Sequence, residues 1–367
     1  MAEIKGDRIF FYDAECSGEG PVSQSRIMIM RTSAAFCAVP TAVNPLPPPS
    51  AHANLAHMTH LTTASGAHVS TTTFGTMQFG GNADAAASRA MYDAARTAGI
   101  THFDTAVMYA DGASETLLGQ FIKSERDAIY LATKVGYIGG ASRANMTAHF
   151  DQCRKQLDQD SVDLLYLHRF DDDTDLEETF ATFADFQQRG LIRHIGVSNF
   201  AAWQIMKAQS VAQKLGTRID VVQPMYNLVK RQAEVEIFGV AVDQDIKIVP
   251  YSPLGGGLLT GKYARGETGR ITDNDRYNAR YGQTWMHETA RDLAALGTDI
   301  GIDPATLAVA WVAAHAAKPS PIISGRSTTQ LAPSLAAENY TMDADLYAQI
   351  TALSPTPPPA TDRLEEA

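Results

Sequence analysis

The stretch VDLLYLH, residues 162–168, is a short apolar run that closes on a histidine. A run of this length, rich in β-forming residues and bounded by polar ones, reads as a buried strand, since a helix needs more residues to repeat its period. The same form recurs on both sides of it. HVSTTTF (68–74), THFDT (101–105) and AIYLATKV (128–135) precede it, and IRHIGVS (192–198), IDVVQPM (219–225), IKIVPYS (246–252) and SPIISG (320–325) follow it. Helical periods lie between. Met146, Phe150, Cys153 and Leu157 fall on one helix face, and Leu176, Phe180 and Phe183 repeat the pattern ahead of Gly190, a residue suited to the position just past a helix C-terminus. Asp303-Pro304 has the form of an N-cap followed by proline in the first turn, opening a helix through Trp311. Eight strand-like runs alternating with helices over about 270 residues predict an α/β fold, a (β/α)8 TIM barrel, with a doubly wound sheet as the alternative. No G-x-G-x-x-G follows a strand, so a Rossmann nucleotide site has no support.

In such a barrel, chemistry sits where the strands end on their C-terminal side. Asp104 closes THFD, Lys134 follows YLAT and His168 follows LLYL. Ser198 and Asn199 follow HIGV, Gln223 follows DVV, and Tyr251 and Ser252 follow KIVP. Any one of these has a plain reading as a core polar group satisfied by backbone. Several converging on one mouth are harder to explain as structure, and a buried lysine beside an aspartate is costly unless the two are paired. Tyr109, in GITHFDTAVMYA (99–110), adds the missing piece. A carbonyl reduced by hydride needs a proton on its oxygen. A free tyrosine, with a pKa near 10, is a poor acid–base group at neutral pH, and a neighbouring ammonium lowers that value. An aspartate fixes the lysine, and a histidine donates a hydrogen bond to the carbonyl oxygen as negative charge develops. Tyr109 then reads as the acid, with Asp104 holding Lys134. A strand-end lysine also permits a Schiff-base lyase using Lys134, a reading that leaves Asp104, Tyr109 and His168 without a role.

Taken together with FGTMQFGG, LATKVG, GLIRHIGVSNF, VVQPMYNLVKR, IVPYSPLGGGLLTGKY and IISGRSTTQL, these segments resemble the aldo-keto reductase superfamily over residues 58–340, in its order and spacing. The resemblance implies NADPH bound across the barrel mouth, a small-molecule carbonyl substrate, and a tetrad falling on Asp104, Tyr109, Lys134 and His168. It implies that Ser198, Asn199 and Gln223 hold the nicotinamide carboxamide and that Tyr251 stacks on the ring. Ser252, Pro253, Leu254 and Gly256 fall on the pyrophosphate loop, with Lys262 closing over it. At the adenosine end SGRSTTQLAPS (324–334) keeps Arg326, suited to a 2′-phosphate, and Gln330. It departs from the family pattern by placing Ser324, Pro333 and Ser334 where Gly, Glu and Asn are usual, so the usual adenine contact from Asn is missing. The resemblance also implies a short N-terminal β-hairpin over MTHLTTASGAHVS (58–70) that closes the barrel floor. Some relatives in the superfamily are redox-sensing subunits of channels with slow turnover, which stands as the alternative function.

The remaining features set limits. Of 367 residues 45% are apolar, 41 are acidic and 30 basic, for a net charge of −11 without a basic stripe, which argues against nucleic acid as a partner. No apolar run approaches the roughly 18 residues of a membrane span. The three cysteines, Cys16, Cys37 and Cys153, are too few and odd in number for a disulfide framework and fit a reducing, cytoplasmic setting. Residues 1–57 show no period and carry the loop-like NPLPPPSAHA (44–53), so they read as an irregular or disordered extension, or as the product of a start codon wrongly chosen ahead of Met58. A secretory signal beginning at Met28 or Met30 is disfavoured by its short apolar part, broken at Pro40. The expected organisation is an extension over 1–57, a barrel over 58–355 and a flexible tail over 356–367. His52, His57 and His60 are too loosely spaced for a metal site, and none is expected. GGGLLTG (255–261) lacks the Lys-Ser/Thr ending of a Walker loop, and Phe200 replaces the second glycine of a nucleophile elbow in GVSNF. Substrate choice falls to the loops 137–143, 170–175 and 265–285.

Overall fold

Eight parallel strands run round the molecule in the spatial order β7-β6-β5-β4-β3-β2-β1-β8. They are β1 (Thr73–Gly75), β2 (His102–Asp104), β3 (Tyr130–Val135), β4 (Val162–Leu167), β5 (Ile192–Ser198), β6 (Val221–Gln223), β7 (Lys247–Ile248) and β8 (Ile322–Ile323). Residues 61–363 are described in this computed structural model. The expected extension over 1–57, with Cys16, Cys37, His52 and His57, lies outside the described residues, as do His60 and residues 364–367. The two edges of the sheet meet. Ser320 N donates to Ile248 O at 2.8 Å and Ile322 N to Pro250 O at 2.9 Å, which closes the curl into a (β/α)8 barrel rather than the doubly wound sheet. Pro250 and Pro321 have no N–H to give, so the seam has few ladder bonds and its strands are only two residues long.

Helices cover the outside: α1 (Ala85–Thr97), α2 (Ala113–Ile122), α3 (Arg143–Leu157), α4 (Leu176–Gln188), α5 (Ala202–Lys214) and α6 (Ile237–Asp243). After β7 come α7 (Arg270–Asp273), α8 (Asp275–Tyr281), α9 (Thr284–Ile300) and α10 (Pro304–Ala314), and after β8 come α11 (Thr328–Ala336) and α12 (Ala344–Thr351). Their boundaries follow the local chemistry. Asp303 accepts from Ala305 N at 2.8 Å with Pro304 in the first turn of α10. Gly190 takes φ 68° just past the end of α4. The face of α3 read from the sequence is the buried one: Met146, Phe150, Cys153 and Leu157 are its buried residues. Among the described residues, no single helix is long and apolar enough to cross a membrane.

The run HVSTTTF divides. Its first half belongs to a hairpin, in which Thr62 bridges His68 antiparallel and Val69 N donates to Leu61 O at 3.2 Å. Only its end enters the barrel as β1. Leu61, 3% exposed, packs with Tyr130, Ala132, Leu164 and Tyr166 inside the barrel and closes its floor.

Alternation along the strands decides what reaches the mouth. On β3, Tyr130 and Ala132 join the interior cluster while Leu131 and Val135 pack outward against the helices. On β4, Leu164 and Tyr166 face in, and Leu165 and Leu167 face out. The same parity carries Lys134 and, one step past β4, His168 to the inner face at the C-terminal rim. Register aligns Lys134 with Tyr166 and Tyr166 with Gly196. A Cβ on Gly196 would stand 2.3 Å from the Tyr166 ring, so that glycine is what lets the ring fill the barrel.

Candidate active site

Lys134, fully buried, is the centre of the rim. Its ammonium pairs with Asp104 Oδ1, donates to Thr105 O at 2.8 Å and to the Tyr109 hydroxyl at 3.4 Å. Asp104 ends β2, and its second oxygen accepts from Gln223 Nε2 at 2.9 Å. Tyr109 stands in the turn after β2, followed by Ala110 and Asp111 at φ 49° and 51°. Two successive left-handed residues without glycine turn the chain sharply behind the phenol. The Tyr109 ring meets the His168 ring edge-on at 6.0 Å. His168 Nδ1 is buried without a hydrogen-bond partner among the described residues, so its other nitrogen is the one open to the cleft.

Burial raises the Asp104 carboxyl above its ordinary value, against the pull of Lys134 and the Gln223 amide. Burial alone would push Lys134 down, but Asp104 and Tyr109 outweigh it and the net direction is up, so the group is an ammonium. For Tyr109 the outcome corrects the sequence reading. Burial pushes the phenol up by more than the Lys134 charge pulls it down, and its pKa lies above 10. The net effect of the site is to keep the tyrosine proton in place. His168 is pushed down to about 3 by burial and by the charges of Lys134 and Arg169, and is a neutral imidazole.

From this rim a cleft of about 730 Å³ runs to Arg326 and Gln330. Of the candidate catalytic and cofactor-binding residues read from the sequence, only Lys134 is absent from its lining, and it reaches the rim from beneath through Asp104 and Tyr109; Ser334 is absent from the lining as well. Asn199, at φ 58°, donates to His168 O at 2.9 Å and to Ser198 Oγ at 3.1 Å, and accepts from the Tyr251 hydroxyl at 2.7 Å. Ser198 Oγ in turn donates to Gln223 O at 3.0 Å. Ser252, Pro253, Leu254 and Gly256 form one wall, where Ser252 takes φ 61° and Gly256 φ 67°.

Residues 72–355 match the model of the aldo/keto reductase family. The chain belongs to the aldo/keto reductase family. It is similar to an uncharacterized oxidoreductase, YrpG, of Bacillus subtilis, 30% identical over 80% of this chain and 94% of the relative. A probable voltage-gated potassium channel subunit beta of Oryza sativa is 31% identical over 74% of this chain and 88% of its own. Aflatoxin B1 aldehyde reductase member 2 of Homo sapiens is 36% identical over 52% of this chain and 54% of its own. The protein is therefore an oxidoreductase, and its family uses nicotinamide cofactors to reduce small carbonyl compounds.

In this reductase the far end of the cleft is cationic. Lys262 donates to Thr268 O at 3.2 Å and lies over the Tyr263 ring, and its pKa is lowered by burial and by the charges of Arg326 and Arg270, against the opposite pull of Glu267 and Asp273. Gln330 Oε1 accepts from Arg326 N at 2.8 Å, which holds Arg326 at the start of α11. Several lining residues were not singled out by sequence. Arg270, Tyr277 and Arg280 belong to the loop 265–285, which folds into α7 and α8 along the cleft. Glu115 lies outside the lining, fully buried on the outer side of β3, where it accepts from Thr133 Oγ1 at 2.5 Å. Its sequence signal is its place on the apolar face of α2 with Leu118 and Ile122.

Proposed function

We propose that this reductase converts an aldehyde or ketone to an alcohol at the expense of NADPH, with Tyr109 as the general acid. The residues present fit the cofactor. The cleft is continuous from the rim to the cationic end, its middle wall is backbone held at positive φ, and Lys262, Arg270 and Arg326 make no ion pair among the described residues, while Arg265 is paired with Glu267 at 2.9 Å. Ser198, Asn199 and Gln223 would hold the carboxamide, Tyr251 the ring face, Ser252, Pro253, Leu254, Gly256 and Lys262 the pyrophosphate, and Arg326 with Gln330 the adenosine end. When bound, the dihydronicotinamide supplies a hydride to the carbonyl carbon.

Tyr109 donates its proton to the carbonyl oxygen. The Lys134 ammonium stabilises the phenolate left behind, at a hydroxyl it already touches at 3.4 Å. Asp104 holds that ammonium in place. Neutral His168 donates to the same carbonyl oxygen and orients it. The observation that carries this reading is the Asp104–Lys134–Tyr109 chain ending beneath His168 at the barrel mouth. It also weighs against a Schiff-base role, because a nucleophilic lysine must be neutral and Lys134 is held charged. A panel of aldehydes and ketones, followed by the loss of NADPH absorbance, tests it with Tyr109→Phe as the control. Oxidation that depends on both the carbonyl and Tyr109 is expected. No carbonyl-dependent oxidation across the panel would overturn the reading.

A further inference from the structure

Three hydroxyl groups are sealed behind the rim and line neither the cleft nor the surface. Thr76 follows β1, Thr105 follows β2 and Ser114 lies in the first turn of α2, and each is 0% exposed. Ser114 Oγ donates to Thr76 O at 2.8 Å, and it lies 2.8 Å from Thr76 Oγ1 and 3.1 Å from Thr105 Oγ1. These contacts place the protons. The single Ser114 proton goes to Thr76 O, so Ser114 Oγ is the acceptor for its two neighbours. Thr105 Oγ1 has no other partner among the described residues and donates to Ser114. Thr76 Oγ1 also reaches Asp104 O at 3.2 Å. Ser114 is therefore the hub of the three. Its hydroxyl is not spent on helix capping, because α2 starts from Gly112 with no side-chain cap.

What this hub holds is the support of Lys134. The acceptors on that ammonium, Asp104 Oδ1, Thr105 O and the Tyr109 hydroxyl, all lie between residues 104 and 109. Thr76 N donates to Asp104 O at 2.9 Å, and Ser114 joins Thr76 to Thr105, so the start of this stretch is tied to the end of β1. Residues 105 and 114 also bracket the turn that carries Tyr109, and the bond between their side chains closes it. Inside the turn Ala110 and Asp111 keep left-handed backbone at φ 49° and 51°. Alanine has no side-chain group to offset that conformation, which persists only where the surroundings enforce it. The Tyr109 hydroxyl has one hydrogen-bond partner among the described residues, Lys134 at 3.4 Å. The position of the phenol therefore depends on the turn more than on bonds of its own.

We propose that Ser114, through Thr105, is a positioning residue for proton transfer: it closes the turn that carries Tyr109 and fixes the Thr105 carbonyl on Lys134. The proposal rests on the assignment of Tyr109 as the acid. Without Ser114 the Thr105 hydroxyl is a buried donor with no acceptor, and the turn relaxes toward any conformation that satisfies it. A displacement of about 1 Å at a reacting group can cost on the order of 10²-fold in rate. Ser114 does not line the cleft, so its loss leaves cofactor binding alone and falls on the chemical step.

The test is single-turnover reduction of 4-nitrobenzaldehyde by NADPH bound to the full-length enzyme, with the NADPH Kd measured alongside. Ser114→Ala and Thr105→Val are each expected to slow reduction by about tenfold at an unchanged Kd, while Thr105→Ser, which keeps the hydroxyl, stays within about threefold of the parent. Thr289→Val is the structural control. It removes another buried threonine bond, 2.8 Å to Leu353 O and away from the cleft, and should lower the urea midpoint without slowing reduction. In the Tyr109→Phe background Ser114→Ala should cost no more than about twofold further, because it acts through the acid that is missing. A Ser114→Ala rate within about twofold of the parent, equal slowing in Thr289→Val, or the same tenfold loss in the Tyr109→Phe background would each overturn the proposal. Should Ser114→Ala fail to fold, Thr105→Val, which leaves Ser114 bonded to Thr76, decides by the same threshold. Tyr109→Phe at the parent's rate would sink the acid assignment and this proposal with it. A slow Tyr109→Phe beside an unimpaired Ser114→Ala would sink the proposal alone.

Discussion

The two ends of the cleft are made of opposite materials. At the reacting end, Asp104 and Lys134 are strand residues, His168 follows a strand directly, and the Lys134–Asp104 pair is sealed from solvent at 0% and 3% side-chain exposure. At the cationic end, Lys262, Arg270 and Arg326 stand on loops and short helices, half-buried or exposed, and none makes an ion pair among the described residues. The first arrangement is set as the barrel folds. Its charges sit in a medium of low polarizability, where they are strong, need little reorganisation during reaction, and are inseparable from stability. The second, in the reading proposed above, would draw a polyanion in from water through screened attraction, and it can be altered without disturbing the fold. Pre-organised chemistry and adaptable capture thus fall on different structural classes of residue within one cleft.

The largest expected effect breaks the first end. Lys134→Met leaves Asp104 buried with only the Gln223 amide, and unfolding by urea should show a loss of about 3–5 kcal/mol, together with loss of reduction. A loss below about 1 kcal/mol would show that the pair is not bound up with folding in the way a buried pair should be. Arg326→Ala should do the reverse. NADPH binding, followed by fluorescence titration, is expected to weaken by about 1.5–3 kcal/mol with little change for NADH or for melting temperature. Equal losses for both cofactors would mean that Arg326 does not read the 2′-phosphate.

A smaller effect sharpens the contrast from behind the rim. Burial pushes the Glu115 carboxyl up from 4.5 to about 7. The folded protein therefore keeps a proton there that the unfolded chain gives up above 4.5. Glu115 costs nothing below that pH, and its contribution to stability is lost as pH rises toward 7. Glu115→Gln removes this dependence. Between pH 5 and pH 8 the variant should gain about 2 kcal/mol relative to the parent in denaturant unfolding. A parent and variant that run parallel over that range would place the Glu115 pKa near its ordinary value.

The convergence of Asp104, Lys134, His168, Ser198 and Gln223 was legible in the sequence because strand periodicity is local. Polar residues at the ends of eight runs of alternating parity must share one rim once the barrel closes. Gly190 and the Asp303-Pro304 pair were legible for the same reason, since a cap is chosen by its neighbours. What was not legible depends on distant parts of the chain. The two-residue strands at the seam follow from Pro250 and Pro321 facing each other across it. The upward direction of the Tyr109 pKa depends on how deeply the ring is buried, which sequence spacing does not measure.

The central claim is that Tyr109 gives the carbonyl oxygen its proton. Single-turnover reduction of an aldehyde by enzyme-bound NADPH, compared between the parent and Tyr109→Phe with the cofactor Kd measured alongside, tests it directly. Hydride transfer in the variant should slow by at least about 10²-fold, the lower end for loss of a general acid, at an unchanged Kd. A rate within a few-fold of the parent, with NADPH still bound, would contradict the account.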